Sequence, residues 1–198
     1  MKKQLIHIHG GESWATYDEY IAFLHAYDIH DPAEPVRTKW ADTYEAVLGS
    51  EWLIMKPSMP AKHNAKYEEW EIWFEKFIPY LHDKVVLVGN SLGATFFAKY
   101  LSEHTLPFRV GQLHLVAGRF FDRDETFRLD AALVAKNIEP QCDHIFIYHS
   151  QDDFVVPFED ANKFKAALPS AELITFEDRG HFLQPEFPEL LANITAHL

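Results

Sequence analysis

Apolar positions along the chain follow two alternating patterns. Short runs rich in Val, Ile and aromatic residues are typical of buried strands, and longer segments with an apolar residue every three or four positions are typical of helices that pack on one face. The strand-like runs lie at residues 4–9, 51–56, 84–88, 110–116, 144–149 and 171–176. The helix-like segments lie at residues 16–26, 42–48, 66–81, 92–103, 159–167 and 186–197.

This alternation predicts an α/β fold with a mostly parallel central sheet of about six strands and helices on both faces. The run 85–88 is Val-Val-Leu-Val, and a strand that is apolar at every position belongs in the centre of such a sheet. The length of 198 residues fits one domain, residues 1–198. Residues 118–140 have room for one helix and a loop but not for a separate lid domain.

The first candidate for chemistry is the segment that follows the run 84–88. It reads Gly89-Asn90-Ser91-Leu92-Gly93, which is the Gly-x-Ser-x-Gly pattern between a strand and a helix. In that setting the serine occupies a sharp turn, and the two glycines leave it space. The amide of Leu92 then points toward the reacting carbonyl, at the positive end of the helix. An ordinary structural turn is the alternative interpretation.

A serine hydroxyl needs a base to take its proton, and a third group to orient that base. His181 follows the last strand on a glycine-containing loop, where this type of site places its base. The acid is expected after the preceding strand, where Asp152 and Asp153 compete. Asp153 stands four residues before Pro157 in an Asp-x-x-Val-Pro pattern and is the preferred acid. Asp152 is then a loop residue that binds local amides.

A tetrahedral oxyanion is stabilised by two amides, one from Leu92 and one from the loop after the first strand. Gly11 is the preferred second donor and Gly10 the fallback, and a simple glycine turn is the alternative to both. Near the predicted rim of the site lie four aromatic residues that either line an apolar acyl pocket or belong to the core: Phe120, Phe121, Phe154 and Phe182.

Composition excludes several other classes of function. The net charge of −12 argues against nucleic acid as a partner, because phosphate binding needs a basic face. No apolar stretch is long enough for a membrane span and no secretion signal is apparent, so a cytoplasmic location is expected.

The single cysteine, Cys142, allows no internal disulfide and looks like a small buried residue. His7 and His9 point to one side of a predicted strand, but no third ligand completes a zinc pattern, and no metal site is expected.

Taken together, these motifs resemble the small lidless serine hydrolases grouped with retinoblastoma-binding protein 9 and its bacterial relatives. The resemblance covers nearly the whole chain, and its markers are His9-Gly10-Gly11, Pro57-Ser58-Met59-Pro60, Gly89 to Gly93, Asp152-Asp153 through Pro157, and Gly180-His181-Phe182 with Glu186-Phe187.

The resemblance implies the α/β-hydrolase fold, a triad of Ser91, Asp153 and His181, no cofactor, and a small ester or amide as substrate. Asn90 departs from the pattern, since many relatives carry His there. The expected function is therefore hydrolysis of a small ester, thioester or amide through an acyl-enzyme. A protein-binding member with little or no turnover, and a different chemistry on the same scaffold, are the alternatives.

Overall fold

A computed structural model describes residues 1–29, 33, 38–120 and 125–197. Within these ranges six strands form one sheet: β1 Lys3–Ile8, β2 Trp52–Met55, β3 Val85–Asn90, β4 Val110–Val116, β5 Cys142–Ser150 and β6 Glu172–Phe176. The strand order is β2-β1-β3-β4-β5-β6, and every neighbouring pair is parallel. The predicted parallel α/β sheet is confirmed.

Seven α-helices accompany these strands in the described residues: α1 Tyr17–Ala26, α2 Tyr44–Leu48, α3 Tyr67–Glu75, α4 Leu92–Glu103, α5 Ala131–Asn137, α6 Phe158–Ala167 and α7 Pro188–Ala196. Helix α1 begins with a capping box, in which Thr16 and Glu19 each bind the backbone amide of the other. Helix α4 has the predicted bounds. Short 3-10 turns at Trp40–Thr43, Ile78–Tyr80, Glu125–Phe127 and Glu139–Gln141 complete the described elements.

The prediction of one long helix over residues 66–81 is wrong. Helix α3 ends at Glu75, and a separate 3-10 turn at Ile78–Tyr80 follows it. Pro79 lies in that turn, and proline lacks the amide that a continuing α-helix would need and restricts the residue before it. The aromatic residues around it made the segment look periodic, but the proline decides its conformation.

The helices cover both faces of the sheet. Helices α3, α4, α5 and α6 pack on one face, here called the apolar face, where the strands contribute Ile6, Ile8, Val85, Leu87, Val110, Leu113, Leu115, Ile145 and Ile147. Helices α2 and α7 pack on the other face, here called the polar face, with Leu5, Val86, Val88, Val116, Phe146 and Tyr148. Both sets are buried, so alternate residues of each central strand enter different cores.

The connection from β4 to β5 contains α5 and two of the 3-10 turns among its described residues, which fits a lidless α/β-hydrolase fold. The strands bring their carboxyl ends to one edge of the sheet, where ligands bind in open α/β folds. Among the described residues, no helix is both long and apolar enough to cross a membrane.

Candidate active site

Ser91 lies at the turn between β3 and α4. Its backbone has φ 53° and ψ −119°, a conformation that non-glycine residues rarely adopt. The turn is held by the Ser91 amide, which donates to the Val116 carbonyl at 2.8 Å, and by the Ser91 carbonyl, which accepts from the Ala94 amide at 2.9 Å. The strained turn presents the hydroxyl above the edge of the sheet.

The two glycines of the motif are required by close packing. A Cβ atom on Gly89 would lie 2.5 Å from the Gly93 carbonyl oxygen, and one on Gly93 would lie 2.2 Å from the carbonyl oxygen of Ile8. Both distances are far below ordinary contact, so neither position accepts a side chain without moving backbone. The elbow is therefore packed directly against the end of β1.

His181 faces Ser91 from the loop between β6 and α7. The Ser91 hydroxyl donates to Nε2 of His181, with 3.0 Å between Oγ and Nε2. The loop that carries the imidazole is tied down on both sides, because the Phe182 carbonyl accepts from Nε1 of Trp40 at 3.0 Å and the Arg179 amide donates to the Ser150 hydroxyl at 3.0 Å.

Asp153 completes the arrangement from the loop after β5. Nδ1 of His181 donates to the Asp153 carboxylate at 2.8 Å, and the carboxylate is fully buried. The amides of Val155 and Val156 donate to Oδ1 of Asp153 at 2.8 and 2.9 Å. Burial raises the pKa of the Asp153 carboxyl, but the hydrogen bonds from His181, Val156 and Val155 outweigh it, and the pKa is lowered overall. The group is an anion at neutral pH.

Asp152 has a different role, as the sequence indicated. Its Oδ1 accepts a hydrogen bond from the Ser150 hydroxyl. The same oxygen accepts a second hydrogen bond, from the Gly180 amide, at 2.8 Å. These two hydrogen bonds, that of Ser150 foremost, lower the pKa of Asp152. Asp152 therefore joins the loop of the acid to the loop of the imidazole without binding the imidazole itself.

His149 contacts the loop that carries Asp153, and sequence reasoning did not identify it. It lies on β5, four residues before Asp153, and its side chain is 1% exposed. Its Nε2 donates to the Val156 carbonyl at 2.9 Å and lies 3.7 Å from Oδ2 of Asp153. The spacing of four residues from the acid was the available signal.

The predicted oxyanion donors lie beside the hydroxyl. Gly11 and Leu92 line one pocket with Ser91, and neither amide donates a hydrogen bond to another described residue. Gly10 is also close, since a Cβ on it would lie 3.0 Å from Cβ of Ser91. Both glycines therefore remain candidates for the second donor.

His9 fixes the loop after β1 and was likewise missed as a site residue. Its Nδ1 donates to the Gly10 carbonyl at 2.6 Å, and its Nε2 accepts from the Met59 amide at 2.9 Å. Desolvation lowers the pKa of His9, which keeps the ring neutral and able to accept. The imidazole thus joins the glycine loop to the Pro57-Ser58-Met59-Pro60 segment.

The pocket beside Ser91, here called the Ser91 pocket, contains polar side chains that no sequence motif singles out. Besides Gly11, Ser91 and Leu92, its walls are Glu12, Ser13, Arg119, Val155 and Val156. Among the described residues, none of the phenylalanines predicted near the rim of the site lines this pocket. Phe120 and Phe182 are buried core residues, Phe154 is 75% exposed, and Phe121 lies outside the described residues.

The prediction that His7 and His9 point to one side of a strand is wrong. The two rings lie in different cores, on opposite faces of the sheet. His7 packs against Trp40 and Tyr44 on the polar face, and its Nδ1 shares a hydrogen bond with the Tyr44 hydroxyl at 3.0 Å. His9 packs against Trp70 of the other core. β1 ends at Ile8, so the alternation of strand side chains no longer applies to His9.

One group of possible metal ligands occurs elsewhere in the described residues. Glu71, Glu75 and His104 bring ligand atoms within 4.8 Å of one another, but Nε2 of His104 already pairs with Glu71 at 2.6 Å.

Cys142 is buried at the start of β5, and burial raises the pKa of its thiol to about 12. That thiol is protonated at neutral pH and unreactive as a nucleophile.

Comparison with known proteins shows the family of the chain. The model of the family "Serine hydrolase" matches residues 36–187. The serine hydrolase RBBP9 of Rattus norvegicus is 29% identical over 146 residues, which are 71% of this chain and 75% of the relative. The putative hydrolase YdeN of Bacillus subtilis is 26% identical over 133 residues, 65% of this chain and 70% of the relative.

Solved structures show the same fold. The ydeN gene product of B. subtilis superposes with a TM-score of 0.74 at 20% identity, covering 99% of this chain and 98% of the other. The carboxylesterase CesB of B. subtilis superposes with a TM-score of 0.63 at 11% identity, covering 99% and 83%. The resemblance that the sequence motifs indicated is confirmed: the chain belongs to the serine hydrolase family and is similar to RBBP9 and YdeN within it.

Proposed function

We propose that the chain hydrolyses a small ester, thioester or amide through an acyl-enzyme, with Ser91 as nucleophile, His181 as base and Asp153 as acid. One observation carries the proposal, namely that the His181 imidazole is hydrogen-bonded to the Ser91 hydroxyl on one side and to the buried Asp153 carboxylate on the other. A nucleophile, a base and an orienting anion in this order are what acyl transfer by serine requires.

In the first half-reaction Oγ of Ser91 attacks the substrate carbonyl carbon while Nε2 of His181 takes the hydroxyl proton. The carbonyl oxygen becomes an anion, and the amides of Leu92 and of Gly11 or Gly10 are the proposed donors that stabilise it. When the intermediate collapses, the bond to the leaving group breaks and the imidazolium gives its proton to that group. Asp153 stabilises the imidazolium and holds the ring in place.

In the second half-reaction a water molecule replaces the leaving group. His181 removes a proton from the water as it attacks the acyl carbon, and then returns the proton to Oγ of Ser91 as the acid is released. No step needs a cofactor. The imidazole must begin the reaction neutral, because only an unprotonated Nε2 can accept the proton of the Ser91 hydroxyl.

Ser91→Ala tests the proposal. We expect loss of covalent labelling by a fluorophosphonate probe and a fall in kcat for a short-chain ester of about 10^4-fold or more, with the fold intact. Ser50→Ala is the matched control, because Ser50 is an exposed serine outside the site. Labelling that persists in Ser91→Ala would remove Ser91 from the role.

Wild-type protein that neither binds the probe nor hydrolyses any ester, thioester or amide in a substrate panel would favour the alternative of a binding protein without turnover.

Asp153→Asn tests the assignment of the acid. We expect it to lower kcat by about 10^4-fold, because the imidazole would lose its orienting anion.

A further inference from the structure

Arg119 places a cationic group in the Ser91 pocket. Its backbone is fixed on both sides by Thr95, whose hydroxyl accepts from the Arg119 amide at 3.0 Å and donates to the Arg119 carbonyl at 2.8 Å. One guanidinium nitrogen donates to the Val155 carbonyl at 2.7 Å. A guanidinium has five N–H donors, and no carboxylate of the described residues forms an ion pair with this one. Donors of Arg119 are therefore available to a ligand.

Ser13 provides an independent observation in the same pocket. Its side chain is 2% exposed, and its Oγ has no hydrogen-bond partner among the described residues. A buried hydroxyl without a partner is unfavourable, and such groups are uncommon in folded proteins. A ligand that accepts a hydrogen bond in the Ser91 pocket would satisfy it.

The balance of groups in the pocket favours an anion over a cation. Arg119 and Ser13 are donors, whereas the Glu12 carboxylate is the opposing acceptor. The chain as a whole carries a net charge of −12, so the long-range field repels anions. Recognition of an anion must therefore come from local, fixed donors, and a carboxylate matches the planar fork of a guanidinium.

We propose that the Ser91 pocket selects substrates whose acyl group carries a carboxylate, such as half-esters of short dicarboxylic acids, and that Arg119 and Ser13 bind that carboxylate. This inference rests on the proposed function, since it names the substrate class for hydrolysis at Ser91. Glu12 tunes the preference in the opposite direction by repelling the same carboxylate.

The test compares monoethyl succinate with ethyl valerate, which has an uncharged acyl chain of similar length, and follows acid release in both reactions. We expect wild-type protein to favour monoethyl succinate. Arg119→Met should lower the ratio of kcat/KM for succinate to that for valerate by about 10- to 100-fold, mostly through KM for succinate, because a charge-assisted hydrogen bond is lost. Arg119→Lys should retain part of the preference, since it keeps the charge.

Two further variants sharpen the test. Glu12→Gln should raise the same ratio by a few-fold. Lys136→Met, which removes an exposed cation from α5, is the control for overall charge and should leave the ratio unchanged. A ratio that does not move in Arg119→Met while both rates fall would overturn the inference, because Arg119 would then act only through the Val155 carbonyl and the loop of Asp153.

A ratio that rises in Arg119→Met and falls in Glu12→Gln would also overturn the inference. Ser91-dependent hydrolysis of ethyl valerate with no preference for succinate would contradict the substrate class alone. Absence of hydrolysis and of fluorophosphonate labelling in wild-type protein would contradict the proposed function itself, so the two failures are distinguishable.

Discussion

On the apolar face of the sheet the strands bury Ile, Leu and Val side chains against aromatic rings of α3 and α4, whereas on the polar face the same strands bury His7, Gln112, His114 and Tyr148. The second face places His7, Gln112, His114 and Tyr148 together in its core, and their hydrogen-bonding groups must be satisfied there. The two faces therefore hold the fold together by different means.

The polar face forms a continuous hydrogen-bonded path. The Tyr148 hydroxyl lies 3.0 Å from Nδ1 of His114, and Nε2 of His114 donates to Oε1 of Gln112 at 2.9 Å. The side-chain Nε2 of Gln112 then donates to the Ile194 carbonyl of α7 at 3.0 Å. Apolar contacts are non-directional, but this path fixes the position of α7 relative to the sheet.

This difference bears on the candidate site. Ser91 directly precedes α4, and the loop of Asp153 leads into α6. Both helices pack on the apolar face. The loop of His181 leads into α7 and is held by Trp40, both on the polar face. The catalytic geometry that we propose thus depends on the sheet joining two cores that are built differently.

The largest effect is expected from opening a cavity in the apolar face. Phe96 is fully buried, and its ring packs against those of Trp70, Phe74 and Tyr100. Phe96→Ala should lower the free energy of unfolding by about 3–5 kcal/mol, measured by urea denaturation. Phe96→Leu is the milder variant if the alanine variant does not fold. Ile72→Ala, at an exposed position of the adjacent helix α3, should change stability by no more than about 0.5 kcal/mol.

The polar face should respond to pH instead. Desolvation by burial lowers the pKa of His114 from 6.5 to about 3, so the unfolded chain binds a proton there that the folded chain does not bind between these values. Above pH 6.5 this group does not reduce the free energy of unfolding. Below pH 6.5 the free energy of unfolding falls by up to about 1.4 kcal/mol per pH unit because of this one group.

His114→Gln should remove that part of the slope when the free energy of unfolding is measured at intervals from pH 6.5 down to pH 4. The titratable partners of the path are otherwise unchanged, and His7, whose pKa burial also lowers to about 3, keeps its own contribution. His25→Gln, at an exposed site, is the control and should retain the wild-type slope. Equal slopes in wild-type and His114→Gln would contradict the explanation.

The smallest effect on stability should come from the link between the polar face and the site. Trp40→Phe removes the hydrogen bond to the Phe182 carbonyl and should lower the free energy of unfolding by about 1 kcal/mol. On the proposed mechanism it should also lower kcat/KM about tenfold, because the loop of His181 loses a fixed contact. Phe96→Leu should be no more stable than Trp40→Phe, but its kcat/KM should lie closer to that of the wild type. The reverse order of kcat/KM in the two variants would contradict the assignment of roles to the two faces.

The sequence predicted the parts of the fold that depend on local patterns. The bounds of β4 and α4 agree with the prediction, and the Gly-x-Ser-x-Gly turn marks the start of α4. The end of α3 was misplaced because aromatic periodicity continued past the point where Pro79 stops the helix. The three proposed triad residues were identified from chain order, and the structure brings their side chains into contact.

The residues that sequence reasoning missed depend on packing between distant segments. His9 binds Met59, fifty residues away, and Arg119 binds Val155, thirty-six residues away. Ser13 stands out only because its hydroxyl is buried without a partner. No local pattern reports such contacts, and the spacing of His149 from Asp153 carries meaning only once the acid is known.

The 2.2 Å separation between an added Cβ of Gly93 and the Ile8 carbonyl has a consequence for altering this protein. The nucleophile turn and the end of β1 lie in close backbone contact, so a change in the backbone of one must be accommodated by the other. Engineers who wish to change substrate preference therefore have freedom in the side chains of Glu12, Ser13 and Arg119, whereas a backbone insertion between Ile8 and Gly11 would displace the nucleophile together with its neighbouring amides.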